Sequence, residues 1–266
     1  MAAVNDCVAN GARVISMSLG SSSYSQTADN TYQEVYDSGV LIIAAAGNSG
    51  SDVMHYPSGY KSVMSVASVT EGSGAGTATY GQLSSFSTRN EQTEIAGPGS
   101  SVKSTVPRDK GSYGTKSGTS MACPHVAGVA ALLISLFPTC TNNQIRNAMI
   151  NSASEPPAYA VDNRNTAGWD KYYGWGIVDA GAAHALLSQG CDVAGGLASI
   201  ADGDLSEMAL GGKDQKQIGC TLDSHCADDN LCLGVQLCNT TSNTCYVQEN
   251  TVPDCDDGVK VRVCPC

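Results

Sequence analysis

The stretch GTSMACPHVAG, residues 118–128, sets Ser120 at the start of a run whose small and apolar residues read as a buried helix. The first turn of a helix has backbone N–H groups without intrahelical acceptors, and the helix dipole favours negative charge there. Both suit a serine that attacks a carbonyl and then faces the oxyanion it creates. Gly118 permits close backbone approach, and Ala127, Gly128, Val129, Ala130 and Ala131 are the small residues a tightly buried helix needs. A Ser/Thr cap on a core helix is the plainer reading of the same residues. A serine hydroxyl is too basic to attack unaided, so the chemistry also needs a group that takes its proton. The sequence offers four histidines, His55, His125, His184 and His225. His125 lies five residues beyond Ser120, which on a helix means a rotation equivalent to roughly 140° and a displacement of about 7.5 Å. It does not face the Ser120 hydroxyl, and a packing role is expected for it. Cys123, one turn beyond Ser120, reads as a small buried hydrophobe.

The elements that must position Ser120 follow from periodicity. The segment VNDCVANG ends in a glycine suited to a helix C-cap, and ARVISMSLG (12–20) is a β-rich run that stops at Gly20. Residues 27–39 read as a helix, and 40–48 as a strand buried on both faces, because its apolar residues are continuous rather than alternating. Further strands are expected at 61–69 and 93–106, and helices at 119–137, at 141–153 behind the N-cap Thr141, and at 179–187 behind Asp179. Strands alternating with helices imply an α/β fold with a doubly wound parallel sheet over residues 1–190.

Residues 191–219 are small and polar, as in a linker, with a helical reading open for 204–210. The remainder, 220–266, holds eight of the twelve cysteines and almost no apolar core. Disulfides are expected to staple it into a small module, because no CxxC pair occurs there and the single His225 gives no zinc-ligand spacing. Cys191 is left over, with Cys7 or Cys140 as its partner. Such cysteine density fits an oxidising, secreted setting, although the amino terminus has neither the basic start nor the apolar block of a secretory signal. A net charge of −11 argues against nucleic-acid or acidic-membrane partners. The longest apolar run, 126–137, is too short to span a bilayer.

GTSMACPHVAG resembles the nucleophile motif of the subtilisin-like serine proteases, GTSMA-x-PHVAG, at every fixed position. AAAGNSG (44–50) is similar to the family's oxyanion segment and ISMSLG (15–20) to its substrate-binding strand, in the same order and spacing. YPSGY (56–60), SSFST (84–88), GPG (97–99) and YYGWGIVDAGAA (172–183) extend the resemblance over roughly residues 1–188. It implies a serine endopeptidase acting on polypeptides through an acyl-enzyme on Ser120, with no cofactor needed for the chemistry. Asn48, otherwise an ordinary turn asparagine, would donate its amide to the oxyanion beside the Ser120 N–H. Ser18, Leu19 and Gly20 would pair with an extended peptide as an added strand, and Ala45, Ala46 and Gly47 would form the facing wall of the specificity pocket. His55 falls near the pocket floor, where its ring would narrow the pocket or hydrogen-bond a substrate side chain; a solvent-facing loop histidine is the alternative. A structural calcium is implied near Ser58, Tyr60, Val63 and Glu94, though the residues themselves show no dense oxygen-ligand loop.

The family's triad runs Asp, His, Ser along the chain. Neither a strand ending in a D-[ST]-G aspartate nor an HGTHVAG histidine motif is found before Ser120. The 266 residues are therefore expected to begin inside the peptidase domain and to lack triad-based activity alone. Two other classes stay open: a non-catalytic relative that keeps the peptide cleft, and an extracellular adhesive protein whose cysteine-rich tail contacts matrix or glycans.

Overall fold

A computed structural model of the chain describes residues 1–70, 80–156 and 168–192, together with the backbone of three short strands further on. The elements in order are α1 (Ala2–Ala9), β1 (Val14–Met17), α2 (Gln26–Asp37), β2 (Leu41–Ala45), β3 (Val63–Thr70), β4 (Thr93–Ser100), β5 (Val102–Thr105), β6 (Tyr113–Lys116), α3 (Thr119–Leu136), α4 (Asn142–Asn151), α5 (Ala180–Leu187), β7 (Leu237–Asn239), β8 (Thr244–Tyr246) and β9 (Val263–Pro265). The chain divides into two units, Met1–Ser206 with Val261–Cys266, and Glu207–Lys260. In the first, five parallel strands lie in the order β4-β3-β2-β1-β9. In the second, β7 and β8 form an antiparallel pair. The linker, the 204–210 helix and the cysteine-rich stretch expected beyond residue 192 otherwise lie outside the described residues.

The central strand β2 shows why the sheet is doubly wound. Its side chains alternate between faces, and both faces are covered, so all five residues are buried. Leu41, Ile43 and Ala45 pack with Ala122, Val126, Ala130 and Leu133 of α3 and with Ile145 and Met149 of α4. Ile42 and Ala44 pack on the other face with Val4 of α1 and Tyr32 and Val35 of α2. Although α3 is long and apolar enough to cross a membrane by composition, it fills the space against four strands of the sheet.

Local signals set the helix boundaries as expected. The Thr141 hydroxyl accepts from Gln144 N while the Gln144 side chain accepts from Thr141 N, a capping box that starts α4. Asp179 accepts from Ala182 N at 2.9 Å and starts α5. Cys191 pairs with Cys140, closing a separation of 51 residues and joining the ends of α3 and α5. In the chain-entropy description, closing a loop of that length is worth about 4 kcal/mol.

Two expectations need correction. The strand expected over 93–106 is broken at Ser101, whose φ of 58° takes it out of the extended region. Its second part, β5, leaves the main sheet and pairs antiparallel with β6, an exposed ribbon that carries no burial pattern. His125 is exposed rather than packed, and its Nδ1 lies 2.8 Å from the Met121 carbonyl.

Candidate active site

Ser18-Leu19-Gly20 follows β1, Gly47-Asn48 follows β2, and Gly118-Thr119-Ser120 opens α3. All three lie at the carboxyl edge of the parallel sheet, where α/β folds gather their ligands. Hydrogen bonds then lock the segments together. Gly47 N donates to Thr119 Oγ1 at 3.2 Å, and both Thr119 N and Thr119 Oγ1 donate to Asn48 Oδ1, at 2.9 and 3.0 Å. Gly118 N donates to Gly99 O at 2.8 Å, tying the helix start to β4.

These bonds orient the Asn48 amide. Its oxygen faces two donors, so its NH2 group is turned away from the Thr119 side chain. Gly118, with φ 156° and ψ 157°, holds a backbone shape that other residues rarely adopt. A β-carbon on Gly118 would stand 3.4 Å from Asn48 Nδ2 and 3.7 Å from Ser120 N. Asn48 Nδ2 and Ser120 N thus border the space over Gly118, with Asn48 Oδ1 also 3.7 Å from that β-carbon but already occupied by Thr119, beside a half-buried Ser120. A developing alkoxide in that volume would be met by donors already in place. Thr119, next to Ser120 at the start of α3, is the residue that ties Asn48 and Gly47 to the helix. The available signal was a second hydroxyl beside the candidate nucleophile.

Ser18, Leu19 and Gly20 are exposed, with Leu19 at 48%. Just beyond them Ser21 and Tyr56 exchange backbone bonds of 2.8 and 2.7 Å. Ala45 and Ala46 are buried, with Ala46 N donating to Val66 O, and Gly47 is half-buried. His55 is half-buried and its ring lies on Gly47: a β-carbon there would sit 2.5 Å from His55 Cδ2. Gly20 faces the same residue, its absent β-carbon 3.9 Å from His55 Cβ. His55 Nε2 is buried without a hydrogen-bond partner.

Beneath Ser120, Cys123 Sγ packs 3.4 Å from Ile43 O and 3.5 Å from Ser16 Oγ. Burial pushes its thiol up, so it stays protonated and unreactive. The loop after Asn48 is clamped from outside: Asp52 bonds Lys171 and also Arg89, the latter at 2.9 Å. Those two cations hold the Asp52 carboxyl below its ordinary range.

No general base accompanies the serine among the described residues. Ser120 Oγ donates to Ser18 O over a long 3.5 Å. His125 points to its own helix, and His184 lies against Phe137 with ring centroids 5.3 Å apart and the planes tilted by 50°. His225 lies outside the described residues, and Asp37-Ser38-Gly39 ends α2 rather than a strand.

The oxygen set suggested for calcium does not fit that ion. Both Glu94 oxygens are held by the buried Arg146 guanidinium, at 2.6 and 2.5 Å, and Arg146 also donates to Lys61 O at 3.1 Å. Tyr60 O accepts from Val63 N, and the Ser58 hydroxyl donates to His55 O. Burial opposes the charge on Arg146, but Glu94 outweighs it and holds the guanidinium above its ordinary range. Among the described residues no cluster of three or more His, Cys, Asp or Glu is placed to hold a metal.

Comparison with known proteins gives the same picture. Residues 1–176 match the model of the subtilase family, Peptidase S8. A thermostable alkaline protease of Halalkalibacterium halodurans is 41% identical over 174 residues, covering 65% of this chain and 42% of that protein. Subtilisin DY of Bacillus licheniformis is 38% identical over 178 residues, covering 65% of this chain and 57% of that one. The chain thus spans about half the length of these relatives. Among solved structures, the psychrophilic subtilisin-like protease Apa1 from Pseudoalteromonas sp. AS-11 has the same fold, with a TM-score of 0.62 at 23% identity over 71% of this chain and 74% of that one. The prenylagaramide maturation protease PagA gives a TM-score of 0.59 at 26% identity, over 68% and 64%. With two thirds of its residues matched by the family model, and its three cleft segments gathered at one sheet edge, this chain belongs to the subtilase family.

Proposed function

We propose that these residues carry the nucleophile and oxyanion site of a secreted serine endopeptidase. Ser120 Oγ attacks the scissile carbonyl as a base takes its proton, and the carbonyl oxygen becomes an alkoxide between Asn48 Nδ2 and Ser120 N–H. Collapse of that intermediate expels the amine with a proton and leaves the acyl-enzyme, which water then hydrolyses. Ser18, Leu19 and Gly20 hold the peptide as an added strand, with Gly47 as the facing wall and His55 at the pocket floor. The base, and the aspartate that orients it, lie outside the described residues. The observation that carries this reading is the convergence of Asn48 Nδ2 and Ser120 N on the volume beside Gly118. A binding protein would have no use for paired donors beside a serine hydroxyl. The cysteine-rich tail fits the same extracellular setting, where contact with matrix or glycans would be its separate contribution.

The test is to express the 266 residues alone and joined to the coding sequence upstream of Met1, then to react both with a fluorophosphonate probe. Ser120 labels, and peptide hydrolysis appears, only in the longer protein, and Ser120→Ala abolishes both. Robust Ser120-dependent hydrolysis by the 266 residues alone would overturn the assignment of the base, and an inert longer protein would favour the non-catalytic relative.

A further inference from the structure

Helix α3 contains a proline, Pro124, in its second turn. In an α-helix the N–H of residue i donates to the carbonyl of residue i−4, so the missing donor is the one that would serve Ser120 O. The proline ring also crowds that carbonyl. The nucleophile's own carbonyl is thus the one the helix ladder fails to hold. At that point the Ser18 hydroxyl, arriving from the end of β1, donates to Ser120 O at 2.8 Å. The two serines are 102 positions apart in sequence, and they meet reciprocally through the longer contact from Ser120 Oγ to Ser18 O.

We propose that the Ser18 side chain is a positioning residue: its hydroxyl supplies the bond that Pro124 withholds and so fixes the peptide following the nucleophile. This is distinct from the role of the Ser18 backbone in holding a substrate. The consequence is mechanical. The peptide edge Ser18-Leu19-Gly20 and the Cα–Cβ direction of Ser120 are tied by one bond, so a ligand paired to the edge and the hydroxyl that attacks it share a frame. Productive attack requires reacting atoms to be aligned closely, and a free first turn would widen that distribution.

The chemistry prescribes its own control. Replacing Pro124 by alanine restores an N–H at position 124, so the helix itself can serve Ser120 O and the Ser18 hydroxyl becomes dispensable. The sequence contains two Ser-Met pairs, 16–17 and 120–121. Labelling serine with carbonyl 13C and methionine with 15N therefore isolates the Ser120 carbonyl as one of two signals, assigned by its loss in Ser120→Ala. In the 266-residue chain, Ser18→Ala is expected to move the Ser120 carbonyl resonance upfield, Ser18→Thr to leave it in place, and Ser18→Ala with Pro124→Ala to return it. In the longer protease, which rests on the proposed function, Ser18→Ala lowers kcat about twofold to tenfold, the worth of one net hydrogen bond. KM stays unchanged there, and the double variant recovers most of the loss. An unmoved resonance in Ser18→Ala, or a double variant as poor as the single, overturns the proposal. A longer protease inert in every form, including the unsubstituted one, counts against the proposed function and leaves the carbonyl measurement to decide this point.

Discussion

Replacing Thr119 by valine removes one oxygen and keeps the shape of the side chain, so it isolates what the hydroxyl does. That oxygen accepts from Gly47 N and donates to Asn48 Oδ1. Its loss strands the Gly47 N–H, which costs about 1–3 kcal/mol when the group is shielded from water. For a domain of this size, 1 kcal/mol corresponds to roughly 2–4 °C, so Tm should fall by roughly 2–12 °C. Asn48 keeps its bond from Thr119 N, so the amide is loosened rather than lost. Deleting an oxyanion donor outright costs about 10²–10³ in kcat, a figure whose source is subtilisin, a relative of this chain. The valine variant should fall well short of that, at about tenfold to thirtyfold, in proportion to one of two orienting bonds removed. Differential scanning calorimetry of the 266-residue chain and steady-state hydrolysis by the longer protease measure the two effects, with Thr119→Ser as the variant that retains both bonds. Valine at 119 with unchanged Tm and unchanged kcat would refute the claim that this hydroxyl organises the donors.

Three further outcomes follow from the packing and charges. Replacing Arg146 by methionine leaves Glu94 buried without its partner and should destabilise the chain by about 3–5 kcal/mol in urea unfolding, whereas Arg146→Met with Glu94→Leu should recover most of it. Replacing His55 by glycine vacates the space against Gly47 and Gly20, so the longer protease should gain activity on peptides with bulky aromatic side chains before the cleaved bond, read as a shift in relative kcat/KM across a peptide series. Asp52 has its carboxyl depressed by Lys171 and Arg89, so its stabilising contribution is complete above the ordinary value of 3.8 and is lost as pH falls through the lower folded value. Hydrogen exchange in the 48–52 loop should therefore quicken under acid below about pH 4, and Asp52→Asn should show no such acid step.

The parts of the fold that were legible in the sequence are those set by nearby residues. Thr141 and Asp179 announced helix starts because a cap and its acceptors lie within one turn. The continuous apolar run of β2 announced a strand covered on both faces. The exposed β5–β6 ribbon was illegible because neither strand buries a face, and a single residue, Ser101, turned the chain off the main sheet. Ser120 and Asn48 are singled out as candidates by the family resemblance of their motifs. The bonds that align them are not, because Thr119 reaches Asn48 over 71 positions and Ser18 reaches Ser120 over 102. Glu94 shows the same limit from the other side. Only the family resemblance set it near an ion, and the arrival of Arg146 from α4, 52 positions away, shows where its charge is spent.

That arginine changes how this corner of the protein obeys mass action. An ion bound from solution stabilises a fold by an amount that grows with the logarithm of its free concentration, and dilution or a competing chelator withdraws it. The Arg146 guanidinium bridges Glu94 and the Lys61 carbonyl as part of the chain itself, so it has no free concentration and no dissociated state short of unfolding. The junction of β4, the segment before β3 and α4 is thereby held by a cation that neither dilution nor a chelator withdraws.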